Sequence, residues 1–286
     1  MNKAMGTKTA LITGANSGLG LATAKALAVR SFDLILVCRD QHRGQTALAD
    51  VQRANPQSKV DLVISDLGNA ESIRRAAEYV NETYSRLDVL IANAGYTPAR
   101  IAFTPEGVEQ SFYDSHIGHF RLLHHLTDLL KRTAAQTGDV RIISLSSAAH
   151  ALGRKSRFFR RIDDLALFSA YGDDKLANVL FAKGAAHQFA GTGVRAFSVH
   201  PGAVKTNFGA DTPGFVGQLF RLATPFMRTP EVGAQTSVFL ASAPLKAIGE
   251  SNNGGYFADN RPKATINRDV TDANADWLWE KSLAYL

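Results

Sequence analysis

Two side chains with proton-transfer chemistry stand four residues apart in the segment Tyr171-Gly172-Asp173-Asp174-Lys175. On a helix, this spacing puts Tyr171 and Lys175 on the same face. A tyrosine ordinarily loses its proton near pH ~10, which is too high for a general acid or base at neutral pH. A nearby ammonium favours the phenolate and lowers that pKa toward the working range. The pair is a candidate proton-transfer device, although an isolated pair at this spacing is more often a coincidence on a solvated helix face.

A glycine-rich turn near the N-terminus carries a second candidate chemistry. The apolar run Thr9–Thr13 predicts a buried strand, and a helical pattern begins after the glycines. Strand, glycine turn and helix form the context of a dinucleotide site, in which the backbone approaches the pyrophosphate and the helix N-terminus faces it. The spacing is GxxxGxG rather than GxGxxG, and a plain tight turn is the alternative. The expected cofactor contacts are Gly14, Asn16, Ser17, Gly18, Leu19 and Gly20.

The end of the second predicted strand, Asp33–Cys38, indicates which dinucleotide is bound. An acidic residue at this point binds a ribose 2′-hydroxyl, whereas an arginine accommodates a 2′-phosphate. Arg39 comes first and Arg43 follows one helical turn later, so we expect NADP(H) rather than NAD. Asp40 keeps NAD open as the alternative.

Two further strand ends offer small or polar residues. Asp66 and Leu67 follow a predicted strand at 60–64, and the Asp66 carboxylate is placed either to accept from an adenine amine or to cap the next helix. Asn93-Ala94-Gly95 follows a predicted strand at 87–92. Its small residues suggest close passage of the cofactor, with strand packing as the alternative.

Composition limits the remaining classes. The chain of 286 residues is 45% hydrophobic and 20% charged, as expected for a soluble globular protein with a sizeable core. No apolar run reaches the length of about 18 residues that a membrane span needs, and no cleavable signal segment is recognisable. Cys38 is the single cysteine, so a reducing cytoplasmic location is expected. The net charge of +6 is dispersed, and no nucleic-acid-binding motif accompanies it.

Three other segments have possible functions of their own. The histidines of one predicted helix, spanning about 106–131, lack the acidic or cysteine spacing of a metal site; they are His116, His119, His124 and His125. The basic stretch 154–161 suits a peripheral membrane or acidic-partner contact, with a solvated flap as the alternative. The apolar segment at about 205–227 predicts a movable lid over a hydrophobic site, with a bilayer-dipping helix as the alternative.

Strands alternate with helical segments along the whole chain. This order predicts an α/β fold, a doubly wound parallel sheet covered on both faces. Residues 254–257 are expected to form an edge strand, and the C-terminal tail a helix. No linker-like stretch interrupts the pattern, so residues 1–286 are expected to form a single domain.

In these motifs and their order, the chain resembles the short-chain dehydrogenase/reductase superfamily over nearly its whole length. The motifs are residues 13–20, Asn93-Ala94-Gly95, Ser146-Ser147, Tyr171-x-x-x-Lys175 and Pro201-Gly202. The segments 37–40, 116–120, 175–181 and 199–202 resemble its retinol dehydrogenase and protochlorophyllide reductase-like branch. The resemblance implies a Rossmann fold with seven strands in the order 3-2-1-4-5-6-7. It also implies NADPH-dependent, reversible reduction of a hydrophobic aldehyde or ketone to the alcohol.

The resemblance further implies a role for each site residue. Tyr171 passes a proton to the carbonyl oxygen, Lys175 holds the nicotinamide ribose and lowers the Tyr171 pKa, and Ser147 orients the carbonyl. Ser146 serves the strand end. The implied cofactor contacts are Asp66 to adenine, Leu67 beside it, Asn93 to the adenine ribose side, Ala94, Gly95, Pro201, Gly202, Val204, and Thr206 to the nicotinamide amide.

One position departs from the family pattern. Ser115 stands where the family has an asparagine that helps to hold a water linking the lysine to solvent. A serine has a shorter reach and a single donor, so the proton relay is expected to be slower or reorganised. Asp114 points about 100° away around the helix and is not expected to substitute. The alternative function is therefore a cofactor-binding sensor or interaction protein with little turnover, and the oligomeric state, monomer or homodimer, stays open.

Overall fold

The computed structural model describes residues 7–97, 100–205 and 227–286. Thr206 and all but the ends of the predicted lid lie outside these ranges. Among the described residues, no helix combines the length and the apolar character that a membrane crossing would require.

Eight strands form one sheet in the order β3-β2-β1-β4-β5-β6-β7-β8. The first seven are parallel, which confirms the predicted order, and β8 adds an antiparallel edge. The strands are β1 Thr9–Thr13, β2 Asp33–Cys38, β3 Val60–Ile64, β4 Val89–Ala92, β5 Val140–Leu145, β6 Val194–His200, β7 Tyr256–Ala258 and β8 Arg261–Lys263.

The predicted edge strand at 254–257 is wrong in one respect, because β7 has a neighbour on each side. Asp259 and Asn260 join β7 to β8 with φ of +53° and +59°. Two consecutive residues with positive φ make the tight turn whose twist suits a two-stranded hairpin, and Asp and Asn tolerate that conformation better than most residues. The exposed strand β8 therefore forms the edge.

Helices cover both faces of the sheet. Their bounds are α1 Gly18–Ala28, α2 Gln41–Ala54, α3 Ala70–Thr83, α4 Gln110–Phe112, α5 Gly118–Thr137, α6 Leu167–Gln188, α7 Pro230–Ser242, α8 Leu245–Ile248 and α9 Asp272–Leu283. Neighbouring residues of β1 point to opposite faces: Leu11 packs with α3, α5 and α6, whereas Ile12 packs with α1, α2 and α7. A strand buried on both sides is apolar without alternation, as its sequence indicated.

The helix predicted at 106–131 is wrong in its bounds and in its continuity. It begins at Gln110, is interrupted by a π-helical turn at Tyr113–Ile117, and continues as α5 to Thr137. It ends there because Gly138 adopts a left-handed conformation, with φ of +72°. The π turn contains Ser115, the position at which the sequence departs from the family pattern.

The basic stretch 154–161 packs onto α6 and the C-terminal residues and is not a free solvated flap. Arg157 forms an ion pair with Asp173 of α6, and the ammonium of Lys155 lies 4.2 Å from the centre of the Trp277 ring. Phe158, only 4% exposed, joins a hydrophobic cluster with α4 and α9. Three of the basic groups therefore already have partners within the protein, because Arg161 also forms an ion pair with Asp163.

Candidate active site

The turn between β1 and α1 is shaped by glycines at positions that most other residues would occupy only with strain. Gly14 and Gly18 have φ of +64° and +51°. A Cβ on Gly20 would lie 2.3 Å from the Gly14 carbonyl oxygen, so only glycine lets α1 pack this closely on the turn. Ser17 precedes α1 without a side-chain capping bond, which leaves the first amides of the helix available to an anion.

The other predicted residues of this turn frame its opening. Asn16 is half-buried beside Ser17. Leu19 packs toward α7, where its Cδ2 would lie 2.7 Å from a Cβ placed on Gly233. Val204 approaches the same point to 2.5 Å, so the glycine turn and the segment after β6 meet at Gly233.

A hydrogen-bond network beneath the glycine turn fixes the neighbouring strand end. The Thr13 hydroxyl accepts from the amides of Asn93 and Ala94 at 3.0 and 2.9 Å, and the Asn93 side-chain amide donates to the Thr13 carbonyl at 2.8 Å. Asn93 is predicted to contact the cofactor, but its side-chain amide nitrogen is hydrogen-bonded within the protein. Gly95 follows on the exposed side.

His119 extends this network to the π turn. Its Nδ1 must donate to the Ser115 carbonyl, since a carbonyl only accepts, and its Nε2 lies 2.8 Å from the Thr13 hydroxyl. Burial lowers the pKa of His119 to about 4, so the ring is neutral and Nε2 accepts from Thr13. One buried histidine therefore connects the glycine turn to the π turn that contains Ser115.

The end of β2 distinguishes the two candidate ribose ligands. The Asp40 carboxylate accepts from the Arg43 amide at 2.8 Å and caps α2. The Arg39 guanidinium is exposed and makes no hydrogen bond or ion pair within the described parts of the chain. Asp40 thus has a structural task, whereas Arg39 remains available to a ligand.

Asp66 does not cap the following helix, so that alternative is wrong. Asn69 caps α3 by accepting from the Ser72 amide at 2.9 Å, while the Asp66 carboxylate accepts from the Gly68 amide at 3.0 Å. The neighbouring Leu67 carbonyl would lie 2.4 Å from a Cβ on Gly118, so the start of α5 packs tightly on this loop. Asp66 remains exposed at the strand end.

The candidate proton-transfer pair lies on α6, with Ser146 and Ser147 at the adjoining end of β5. The Ser146 hydroxyl donates to the Lys175 carbonyl at 2.7 Å and ties β5 to α6, in keeping with its expected structural role. The Ser147 side chain is hydrogen-bonded to Tyr171. Ser147 Oγ also accepts from the Ala149 amide at 3.2 Å, which orients the hydroxyl for donation.

The Lys175 ammonium lies over the face of the Tyr171 ring, 5.4 Å from its centre. Burial raises the pKa of Tyr171 to about 12, the hydrogen bond with Ser147 lowers it, and the charge of Asp174 raises it. Desolvation of the phenolate outweighs the hydrogen bond with Ser147, whereas the lowering of this pKa by Lys175 stays a prediction. Burial likewise lowers the pKa of Lys175.

Ser115 and Lys175 meet at Gly95. A Cβ at Gly95 would lie 3.3 Å from Lys175 Nζ and 3.7 Å from Ser115 Oγ. The Ser115 hydroxyl is buried and has no hydrogen-bond partner in the described residues. The Asp114 carboxylate instead accepts from the Tyr96 hydroxyl and the Gln110 side-chain amide, at 2.8 Å each. These bonds agree with the expectation that Asp114 does not take the place of the family's asparagine.

The turn after β6 closes the site on its other side. Pro201 is buried, and Gly202 has φ of +85°, with the Arg228 side chain 2.9 Å from the position of a Cβ. Arg228 also pairs with Asp259 and forms a β-bridge with Val204. Thr206, which follows this bridge, lies outside the described residues. Nothing in the sequence pattern indicated that an arginine would cover Gly202.

Asp174 is a further site residue that the sequence reasoning missed. Its side chain is completely buried next to Lys175. The signal was present, since an acidic residue stands inside the Tyr–Lys motif, but only the fold shows that it faces inward.

These features together fit a nicotinamide dinucleotide. The glycine turn is a cradle that a Cβ at Gly20 would fill, and the helix amides suit a pyrophosphate. Arg39 and Asp66 stand at the carboxyl ends of β2 and β3, and Ser147 at that of β5. Tyr171 and Lys175 lie in the N-terminal half of α6. Open parallel sheets bind ligands at this edge, where the strand order reverses.

Comparison with known proteins agrees with the geometry. The short chain dehydrogenase family model matches residues 8–213. Mouse retinol dehydrogenase 12 is 36% identical over 98% of this chain and 86% of its own length. Human dehydrogenase/reductase SDR family member 13 is 37% identical over 96% of this chain and 72% of its own length.

Solved structures show the same fold. A short chain dehydrogenase/reductase family protein with 28% identity superposes with a TM-score of 0.64, over 87% of this chain and 94% of that one. The NADPH-bound carbonyl reductase from chicken fatty liver, at 24% identity, gives 0.68 over 91% of this chain and the whole of that one. The chain therefore belongs to the short-chain dehydrogenase/reductase family, whose members are oxidoreductases of alcohol and carbonyl groups that bind a nicotinamide cofactor.

Proposed function

We propose that this protein is an NADPH-dependent reductase of apolar aldehydes or ketones, and that the reaction is reversible. The observation that carries the proposal is the meeting of Tyr171, Ser147 and Lys175 at the sheet edge that also holds the glycine turn. One group that exchanges a proton, one hydroxyl donor and one ammonium are what a carbonyl oxygen needs as charge develops on it.

The bound cofactor would supply a hydride to the carbonyl carbon. Tyr171 donates its phenolic proton to the carbonyl oxygen, and the Ser147 hydroxyl donates a hydrogen bond to the same oxygen. The buried ammonium of Lys175 offsets the negative charge left on Tyr171. The high pKa of Tyr171 suits this direction, because the residue stays protonated until it donates.

The preference for NADPH rests on the different environments of two neighbouring residues. Arg39 is exposed and makes no hydrogen bond or ion pair among the described residues, whereas the Asp40 carboxylate caps α2. A guanidinium binds a phosphate through parallel hydrogen bonds, and a capping carboxylate is less free to bind a ribose. The arrangement favours a cofactor that carries a 2′-phosphate.

The substrate class is supported by sequence and by relatives. The segment 205–227 is rich in Phe and Leu, which suits a cover for an apolar substrate. The relatives named retinol dehydrogenase, at 34–37% identity, extend over nearly the whole of this chain. We therefore propose aldehydes and ketones with large apolar substituents, retinoids among them.

The test is NADPH consumption with a panel of apolar aldehydes, ketones and retinoids, with NADH as the comparison. We expect turnover with NADPH and at least one apolar carbonyl compound. Tight NADPH binding without consumption on any member of the panel would contradict the proposal.

A second candidate function is a cofactor-binding sensor with little turnover. It is favoured by Ser115, which leaves a buried hydroxyl without a protein partner where a proton path to Lys175 is expected. The variant Ser115→Asn separates the two functions. A rise in turnover indicates an enzyme limited at this position, whereas tight NADPH binding with no turnover in either form indicates a sensor.

A further inference from the structure

Asp174 places a carboxyl group inside the protein, at the position directly before Lys175 in the helix that carries the proton-transfer pair. The side chain is 0% exposed, and neither of its oxygens has a hydrogen-bond partner in the described parts of the chain. Ser115 faces it and weakly favours its ionised form, without meeting the geometry of a hydrogen bond. Burial raises the pKa of Asp174 to about 8, because a carboxylate in this setting is costly. The group therefore ionises only toward alkaline pH, where a neighbouring cation offsets its charge.

The adjacent Asp173 shows what a satisfied buried carboxylate looks like in the same helix. Asp173 is 5% exposed, accepts from the Arg154 amide at 2.8 Å, and accepts from Arg157 at 2.7 and 2.6 Å. Two neighbouring acids thus have opposite environments. Asp173 anchors the basic stretch, whereas Asp174 has no such structural partner to explain its burial.

The groups around Asp174 come from four parts of the fold. On α6 itself, Lys175 is the neighbouring cation and Tyr171 the neighbouring proton donor. The remaining titratable or polar groups that face it are Glu109 at the start of α4, Asp114 and Ser115 of the π turn, and Tyr96 after β4. Since Glu109 and Asp114 add negative charge, Lys175 is the compensating group that the local geometry supplies.

The negative charge of Asp174 raises the pKa of both Lys175 and Tyr171. Burial lowers the pKa of Lys175, and the negative charge of Asp174 raises it. Burial raises the pKa of Tyr171, and Asp174 raises it further. Both influences favour the protonated form of the neighbouring group.

We propose that Asp174 is a positioning residue that holds Lys175 as the ammonium ion and Tyr171 as the phenol, so that the pair remains able to donate a proton at alkaline pH. In carbonyl reduction, the phenolic O–H bond of Tyr171 breaks as an O–H bond forms on the substrate oxygen. The phenolate that remains is attracted by Lys175 and repelled by Asp174, which favours its reprotonation from solvent. The catalytic meaning rests on the proposed function, but the effect on Lys175 does not.

The test is a pH titration of Lys175 in protein labelled with carbon-13 at lysine Cε, with the signal assigned by its loss in Lys175→Arg. We expect Asp174→Asn to lower the pKa of Lys175 by about one unit. Asp173→Asn is the matched control and should leave that pKa unchanged. If the Asn variant does not fold, Asp174→Ser provides the same comparison with a smaller neutral side chain.

The pH dependence of turnover is a second measurement, and it would not change if Asp174 had a purely structural role. In Asp174→Asn, the alkaline limb of reduction and the acid limb of alcohol oxidation should both move to lower pH by about one unit. An unchanged or raised pKa of Lys175 in the Asp174 variants overturns the inference. Failure of the wild-type protein to reduce any carbonyl compound would overturn the proposed function alone, because the titration needs neither substrate nor cofactor.

Discussion

The two halves of the candidate site are built on opposite principles. On the nucleotide side, Thr13, Asn93 and His119 satisfy one another in a closed hydrogen-bond network under the glycine turn. On the proton-transfer side, the buried oxygens of Ser115 and Asp174 have no protein partner among the described residues.

The difference teaches which half can change without loss of the fold. A satisfied buried network is rigid and costly to alter, because each group removed leaves another unpaired. Unpaired buried groups lower the stability of the native state, so replacing them removes no stabilising hydrogen bond, and a buried charge acts on the protonation of its neighbours. We therefore expect changes on the nucleotide side to affect stability and cofactor affinity, and changes on the proton-transfer side to affect turnover and its pH dependence.

The largest effect is expected on the proton-transfer side. Tyr171→Phe removes the proton donor but keeps the ring, so turnover should fall by about 1000-fold. NADPH affinity and thermal stability should stay close to wild type, as measured by fluorescence titration and calorimetry. A variant that retains more than about a tenth of the activity would show that another group supplies the proton.

The next largest effect is expected from disrupting the hydrogen-bond network on the nucleotide side. Thr13→Val keeps the side-chain shape but leaves the amides of Asn93 and Ala94 and the ring of His119 without their shared partner. We expect unfolding free energy to fall by about 3 kcal/mol, measured by chemical denaturation.

Thr9→Val is the matched control in the same strand. Thr9 is 6% exposed, and no hydrogen bond of its hydroxyl is seen within the described residues. The free energy of unfolding of Thr9→Val should stay within about 0.5 kcal/mol of wild type. Equal losses in the two variants would show that the network has no special role.

Acid should destabilise the same region through its buried histidines. Burial lowers the pKa of His119 to about 4 and that of His116 to about 3. Below the unfolded-state pKa of ~6.5, these histidines become protonated in the unfolded chain but stay neutral in the native protein. The free energy of unfolding therefore decreases as the pH is lowered. Each histidine should cost about 2 kcal/mol at pH ~5.

Denaturation at a series of pH values checks this prediction. In His119→Gln the dependence on pH should be shallower by one histidine, whereas the exposed His124→Gln should follow wild type. An unchanged slope in His119→Gln would mean that this ring is charged in the native state.

The smallest expected effect concerns cofactor choice. Arg39→Ala should raise the KM for NADPH about 10-fold, because it removes the guanidinium proposed to bind the 2′-phosphate. The KM for NADH should change little, as measured in parallel steady-state assays. A similar rise for both cofactors would place Arg39 outside the 2′-phosphate site.

The sequence predicted the framework well because strand and turn signals are local. The bounds of β1, β2 and β3 agree with their apolar runs, and the glycines of the first turn lie where a cofactor cradle requires them. The hairpin at Asp259 was missed although its turn residues are typical, since β8 itself is short and entirely exposed.

The features that were missed depend on tertiary contacts. The π turn at 113–117 has no counterpart in helical periodicity, and it precedes Gly118, where α5 presses on the Leu67 carbonyl. The inward orientation of Asp174 follows from how α6 packs, not from its neighbours in sequence. For the same reason the raised pKa of Tyr171 could not be predicted, because its largest cause is burial, which depends on how the chain packs.

The most direct test of the central claim is a single turnover with NADPH that carries deuterium in both positions on the reactive nicotinamide carbon. The account predicts an alcohol product with one deuterium on the former carbonyl carbon, formed by the wild-type protein and not by Tyr171→Phe, while both bind NADPH equally. A wild-type protein that binds this NADPH but forms no deuterated alcohol from any apolar aldehyde or ketone would contradict the account.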